Sequence, residues 1–237
     1  MAKPNVIELL SGEEIPILFE DRSVIAIDKP AGWMLAPSSW VETGRTLQAA
    51  LEASIHERAF WARSRNVKFL RYVHRLDAET TGVLLLARSP GAIRSYSALF
   101  ESRDMEKVYL AVVSGIPARK QWVCHSKLAP HPARKGIIRV DQAHGKEAET
   151  EFRLLRSRSG VALLEVHPMT GRTHQIRVHL ASEGHPVLGD RLYGSSSQGA
   201  EVPLGLRAVA LSYKDPFTRR KVTIKAPAEG FLRQFGF

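Results

Sequence analysis

The spacing of apolar and polar residues changes period several times along the chain. "ILFEDRSVIAIDKPAG" (17–32) has two short apolar runs around a polar turn at Glu20–Ser23 and stops at Pro30 and Gly32, which predicts a pair of strands. "TLQAALEASIHERA" (46–59) switches to helical spacing, with Leu47, Leu51, Ile55 and Ala59 on one side and Thr46 as a candidate cap. "GVLLLAR" (82–88) is apolar throughout, the signature of a strand covered on both faces. "SPGAIRSYSALFESR" (89–103) predicts a helix with Ser89 as N-cap, Pro90 in the first turn, and Ile93, Tyr96 and Phe100 on one face. "EKVYLAVVSG" (106–115) alternates like a strand, and "AETEFRLLRSRSGVALLEVHPMTG" (148–171) reads as two strands around "SRSG". "RTHQIRVHLASEG" (172–184) predicts a helix closed by Gly184, and "LRAVALSYKDPFTRRKVTIKA" (206–226) a last hairpin around Asp215-Pro216. Between them, 190–205 is a loop rich in Gly and Ser. Strands outnumber helices and several are joined by short turns. The pattern predicts an α+β fold with a largely antiparallel or mixed sheet, not a parallel βαβ array.

The length of 237 residues suits one large domain or two small lobes sharing a core, and no linker stands out. No apolar run reaches the ~20 residues that cross a bilayer, and the first residues lack the basic-then-apolar pattern of a signal peptide. The single cysteine, Cys124, excludes an internal disulfide framework and is read as a small core or edge residue; a reducing, cytoplasmic setting is the expectation.

Charge narrows the field. The chain carries 34 Lys+Arg against 24 Asp+Glu, a net charge of +10 that favours polyanionic partners. The excess is uneven. Residues 115–140 hold six Lys/Arg and no acid, and 56–75 hold six Lys/Arg and one acid with Phe60, Trp61, Phe69 and Tyr72 interleaved. Basic stretches with aromatics predict a nucleic-acid surface over these two segments.

Candidate chemistry concentrates in a few stretches. "YVHRLDAETTGVLLLARS" (72–89) sets a lone acid, Asp77, at the mouth of the apolar run, two residues from Arg75 and three from His74. Strand ends are where rigid scaffolds hold reactive groups, and a partly buried carboxylate stays ionised beside a cation. Tyr109, flanked by apolar residues, reads either as a core tyrosine or as a platform for a base. In "GRTHQIRVHLASEGHPVLGDRLYG" (171–194) a helix would put Thr173, Arg177 and Leu180 on one face. His174, His179 and His185 lie five and six residues apart, the wrong spacing for two metal ligands on one helical face, so no metal is expected.

"HRLDAETTG", "KVYLAVVSG" and "GRTHQIRVHLASEGHPVLGDRLYG", in this order, resemble the motifs of the RluA family of RNA pseudouridine synthases. "DKPAG", "AETEF" and "LRAVALSYKDPFTRRKVTIKAP" fit the same pattern, and together the likeness covers about residues 15–235. It implies a mixed, largely antiparallel sheet with flanking helices and a central active-site cleft, formed by one catalytic domain over 15–237 after an N-terminal extension over 1–14. It implies an isomerase that turns uridine into pseudouridine within ribosomal or transfer RNA after flipping the base, using neither cofactor nor metal. Asp77 is then the nucleophile, Tyr109 lies against the target base, Arg177 pairs with Asp77, and Arg75 fills the space left by the flipped uridine. His74, Thr80, Lys107, Arg172 and His174 are implied as substrate or RNA contacts. The short region before the first strand leaves no room for the S4 module of some relatives, and a monomer is the expectation. Four positions depart from the family pattern without touching Asp77, Tyr109, Arg177 or Arg75: Asp28, Ala36, Thr81 and Arg207. A non-catalytic RNA-binding or ribosome-assembly protein on the same fold is the competing reading. Loss of the three motif residues would mark that class, and here all three are present.

Overall fold

The structure is a computed structural model and describes residues 3–35, 46–194 and 202–237. The departure at Ala36 and the central part of the 190–205 loop lie outside the described residues. The chain divides into two compact units, each built from two separated stretches: residues 1–105 with 210–226, and residues 106–209 with 227–237.

The first unit contains β1 (Val6–Glu8), β2 (Glu14–Glu20), β3 (Val24–Lys29), α1 (Leu47–His56), α2 (Phe60–Arg63), β4 (Arg71–Tyr72), β5 (Thr81–Ala87) and α3 (Pro90–Glu101). The second contains β6 (Glu106–Ser114), β7 (Gln121–Cys124), β8 (Leu128–Pro130), β9 (Ile138–Val140), β10 (Thr150–Arg158), β11 (Val161–Pro168), α4 (Gln175–Ser182) and, after the chain's excursion, α5 (Glu229–Gln234). Strand β12 (Leu206–Lys214) begins in the second unit and ends in the first, where β13 (Lys221–Lys225) follows.

In the first unit the strand order is β1-β2-β3-β5-β12, with β4 also on β5 and β13 on β12. Antiparallel register pairs Val24 with Ala87 and Lys29 with Gly82, so β3 and β5 run side by side over their whole length. Leu84, Leu85 and Ala87 of β5 are fully buried, as its unbroken apolar run predicts for a central strand. Tyr96 of α3 packs with Val83, Leu85, Leu211 and Tyr213. The Ser89 hydroxyl accepts the Ala92 amide at 3.1 Å, so this cap forms as predicted. Thr46 makes no side-chain cap on α1, and Ala59 lies beyond that helix, at the entrance to α2.

The second unit has the order β12-β6-β11-β10-β7, with β8 and β9 forming a separate two-stranded ribbon. β10 and β11 are joined through Ser159 (φ 48°) and Gly160 (φ 79°), the left-handed pair that a tight hairpin demands. Cys124 ends the edge strand β7 and is buried, and its burial pushes the thiol pKa up. Helix α4 is shorter than its sequence pattern suggested. It starts at Gln175 because His174 takes a left-handed conformation (φ 53°), which leaves Thr173 outside the helix.

Candidate active site

Asp77 sits in the irregular segment between β4 and β5, half-buried, one residue after the buried Leu76. Its loop is fixed from below by Lys29, the last residue of β3. This lysine is fully buried, and its Nζ donates to the carbonyls of Ala78 (2.7 Å), Pro30 (3.0 Å) and Thr80 (3.0 Å). The Gly32 amide also donates to the Ala78 carbonyl at 3.0 Å, and the Thr80 amide to the Asp77 carbonyl at 3.2 Å. The segment 77–80 is therefore a preformed turn clamped by an ammonium group. Burial lowers the Lys29 pKa to about 8, and the charges of Glu79 and Asp77 oppose that fall. Lys29 is thus a cation electrostatically coupled to Asp77 that the sequence reading did not single out. The signal was present in "IAIDKPAG": a lysine closing a mostly apolar strand, with proline directly behind it.

The other candidates of this segment take distinct places. His74 accepts the Leu85 amide at Nε2 (3.1 Å) and stacks on Phe100 with ring centroids 4.6 Å apart, so one face and one nitrogen serve the scaffold. That bond puts the imidazole proton of neutral His74 on Nδ1. Arg75 is exposed. Thr80 is buried; its carbonyl serves Lys29, and its Oγ1 has no hydrogen-bond partner among the described residues.

In the second unit, Tyr109 of β6 packs against the cluster that contains Ile176 and Leu180 of α4, so β6 and α4 share one support. Arg177 of α4 is buried. Its Nε and Nη2 grip Asp190 in a fork, at 2.7 Å to Oδ2 and 2.8 Å to Oδ1, and its guanidinium lies 5.2 Å from the Tyr193 ring centre. Burial raises the pKa of Asp190, but the hydrogen bond and charge of Arg177, with the amides of Leu192 and Tyr193, outweigh it and hold the carboxyl below its ordinary range. Gly189 makes the turn possible: its φ is +70°, and a Cβ there would meet the Pro203 carbonyl oxygen at 2.2 Å.

Tyr193 also reaches the helix entrance. Its hydroxyl accepts the Ile138 amide (2.9 Å) and bonds His174 Nδ1 (2.7 Å). Gln175 fixes the turn before the helix, accepting Thr170 Oγ1 (2.6 Å) and the Arg172 amide (2.9 Å) and donating to Thr150 Oγ1 (2.9 Å). Arg172 is exposed and its Nε donates to the Glu147 carbonyl at 3.0 Å, while Lys107 Nζ reaches the Thr170 carbonyl at 3.3 Å. The second unit therefore gathers Lys107, Tyr109, Arg172, His174 and Arg177 around α4. Sequence reasoning missed Asp190, Tyr193 and Gln175, although "HQIR" and "GDRLYG" lie in the segment it quoted.

The structure changes the reading of two features. Within 56–75, Trp61 is core, 1% exposed, and Arg65 is buried against Glu20 and the Pro4 carbonyl, so neither belongs to an outward basic-aromatic surface. Arg71 pairs with Glu52. Arg207 is buried and its Nε donates to the Pro227 carbonyl at 3.0 Å, which places this departure inside the fold. His179 is spent between Thr150 Oγ1 and the Ser126 carbonyl. Among the described residues, no group of three or more His, Cys, Asp or Glu is arranged to hold a metal ion, and no helix is long and apolar enough to cross a membrane.

Comparison with known proteins agrees with the motifs. Residues 23–182 match the family model described as RNA pseudouridylate synthase. The ribosomal large subunit pseudouridine synthase C of Vibrio cholerae is 34% identical over 228 residues, covering 92% of this chain and 67% of that protein. Human RNA pseudouridylate synthase domain containing 1 aligns with a TM-score of 0.71 at 25% identity, over 90% of this chain and 83% of that one. Human RNA pseudouridylate synthase domain containing 4 shares the fold, with a TM-score of 0.74 at 23% identity over 92% of this chain and 91% of that one. With its motifs in order and its fold in common with theirs, the chain belongs to the RluA family of RNA pseudouridine synthases, isomerases that act on uridine within RNA.

Proposed function

We propose that this chain isomerises one or more uridines of large-subunit ribosomal RNA, in the cytoplasm, with Asp77, Tyr109 and Arg177 as its catalytic residues. The observation that carries this reading is the clamped turn at 77–80. Two carbonyl bonds from one buried ammonium, to Ala78 and Thr80, hold the turn that carries a half-buried carboxylate just ahead of β5, as a reacting group needs. The ribosomal target is supported by the name of the Vibrio cholerae relative.

The reaction breaks the uridine N1–C1′ bond, turns the uracil and joins C5 to C1′. The C5 proton is lost and N1 of the product carries one, so nothing is oxidised and no water is consumed. Asp77 acts at the sugar, either as nucleophile at C1′ or as the base that removes a ribose proton. Tyr109 offers its ring to the detached uracil and its hydroxyl to the proton leaving C5. Arg177, oriented by Asp190, keeps a carboxylate beside it ionised. Arg75, two residues before Asp77 and exposed, fills the gap when the base leaves its stack, a step that costs about a few kcal/mol. His74, Thr80, Lys107, Arg172 and His174 line the path of the RNA or hold the residues that do.

The test is pseudouridine mapping of total RNA from cells lacking the gene, complemented with the wild-type protein or with Asp77→Asn. Wild type restores the modification in large-subunit ribosomal RNA, and the variant restores none while still binding RNA. Product formation by Asp77→Asn would remove this residue from its role, and restoration confined to transfer RNA would overturn the proposed target.

A further inference from the structure

The β12–β13 hairpin carries Lys214, Arg219, Arg220, Lys221 and Lys225, all exposed. Its one acid, Asp215, is 2% exposed and wholly used inside. Oδ1 accepts the Phe217 amide (3.1 Å), the Thr218 amide (2.6 Å) and Thr218 Oγ1 (2.8 Å), and Oδ2 accepts the hydroxyl of the buried Tyr96. The tip is therefore held in place, and every charge on its outside is positive. Among the described residues, no ion pair involves any of the five cations, whereas Arg71, Lys127, Arg139 and Arg153 each face an acid.

Two choices within this hairpin are unfavourable for folding alone. Lys214 lies directly opposite Lys221 in the antiparallel register, and like charges so placed destabilise a sheet. Arg219 is held at φ 62°, where Gly or Asn would sit more easily. Lysines guarding an edge strand would account for Lys221 and Lys225 on β13, but not for Lys214, Arg219 and Arg220. Phe217 is 55% exposed at the same tip and adds a flat apolar surface among the cations. A preformed cationic ridge with no acid of its own is complementary to a polyanion.

We propose that the β12–β13 hairpin is a docking ridge for the phosphate backbone of double-stranded RNA. It acts on affinity and not on chemistry, because none of its residues belongs to the proposed catalytic set. Duplex RNA recognised in this way is read by shape and charge, not by sequence.

The experiment uses the full chain and a generic 20-base-pair RNA duplex, so it does not depend on the identity of the natural target. A variant with Lys214→Gln, Arg219→Gln, Arg220→Gln and Lys221→Gln is compared with wild type and with a control, Arg94→Gln with Arg103→Gln, that removes exposed charge from the α3 region. Affinity is measured as a function of salt. The hairpin variant is expected to bind roughly tenfold or more weakly at moderate salt, with a log–log salt slope shallower by about 2 to 4. Its turnover at saturating cellular RNA should match wild type, and its thermal unfolding midpoint should be equal or slightly higher, since the Lys214–Lys221 repulsion is gone. Unchanged affinity and slope would overturn the proposal. So would an equal loss per charge in the control, which would reduce the effect to net charge. Lost turnover with intact binding would also overturn it, by placing the hairpin in the chemistry.

Discussion

Replacing Lys29 with methionine tests how the turn at 77–80 is held. The substitution keeps much of the apolar stem and removes the ammonium. Two effects oppose each other at neutral pH. Holding the amine charged in a site that lowers its pKa from 10.5 to about 8 costs the folded protein about 3 kcal/mol, and the variant escapes that cost. Against this, three carbonyls lose their donor. That of Thr80 is fully buried and costs about 1–3 kcal/mol unpaired; those of Pro30 and Ala78 are only partly buried, and the latter keeps the Gly32 amide. The two effects nearly cancel, so stability at pH 7 should change by no more than about 2 kcal/mol. The pH dependence separates them. Because the folded pKa lies below the unfolded one, the unfolded chain binds more protons between the two values, and wild type gains stability as pH rises through that window. Denaturant titrations should show the wild type gaining about 2 kcal/mol on Lys29→Met between pH 7 and pH 9.5. Pseudouridine formation should fall roughly 10–100-fold in the variant, since the loop bearing Asp77 loses its clamp. A stability difference that stays flat from pH 7 to 9.5, or full activity in the variant, would refute the buried-cation account.

The Arg177–Asp190 fork gives a second expectation. Asp190→Asn removes the carboxylate that the buried Arg177 fork grips and should cost about 3–5 kcal/mol in unfolding experiments at pH 7. The native carboxyl pKa is lowered, so this stabilisation is full above the ordinary carboxylate value and fades as pH falls through the folded one; the gap between the two proteins should narrow below about pH 4. Tyr193→Phe keeps the ring over Arg177 but removes the hydroxyl shared by Ile138 and His174. It should cost about 1–3 kcal/mol in stability, and amide exchange at Ile138 should accelerate while that of β6 does not.

Much of this protein was written in its periodicities. The apolar run at 82–88 reads as a covered strand and Ser89-Pro90 as the start of a helix, and both form, because both signals are local and nothing tertiary opposes them. The motif order identified the family, and with it the expected roles of Asp77, Tyr109 and Arg177. What one dimension hid was where side chains spend their charge. Arg65 and Trp61 looked like an RNA surface and are core, while the cations of 214–225 looked like an ordinary hairpin and make no ion pair among the described residues. Local pattern could not reveal that Lys29 reaches across 49 residues of chain to Ala78, or that Asp190 takes the fork of Arg177. Helix α4 likewise starts late because Gln175 and Tyr193 hold the preceding turn, an arrangement made by residues that converge only in space. The sequence determined the strands, the helices and the chemical groups available. Tertiary structure alone decided which charges are buried and partnered, because desolvation and pairing depend on neighbours that the chain brings together only when it folds.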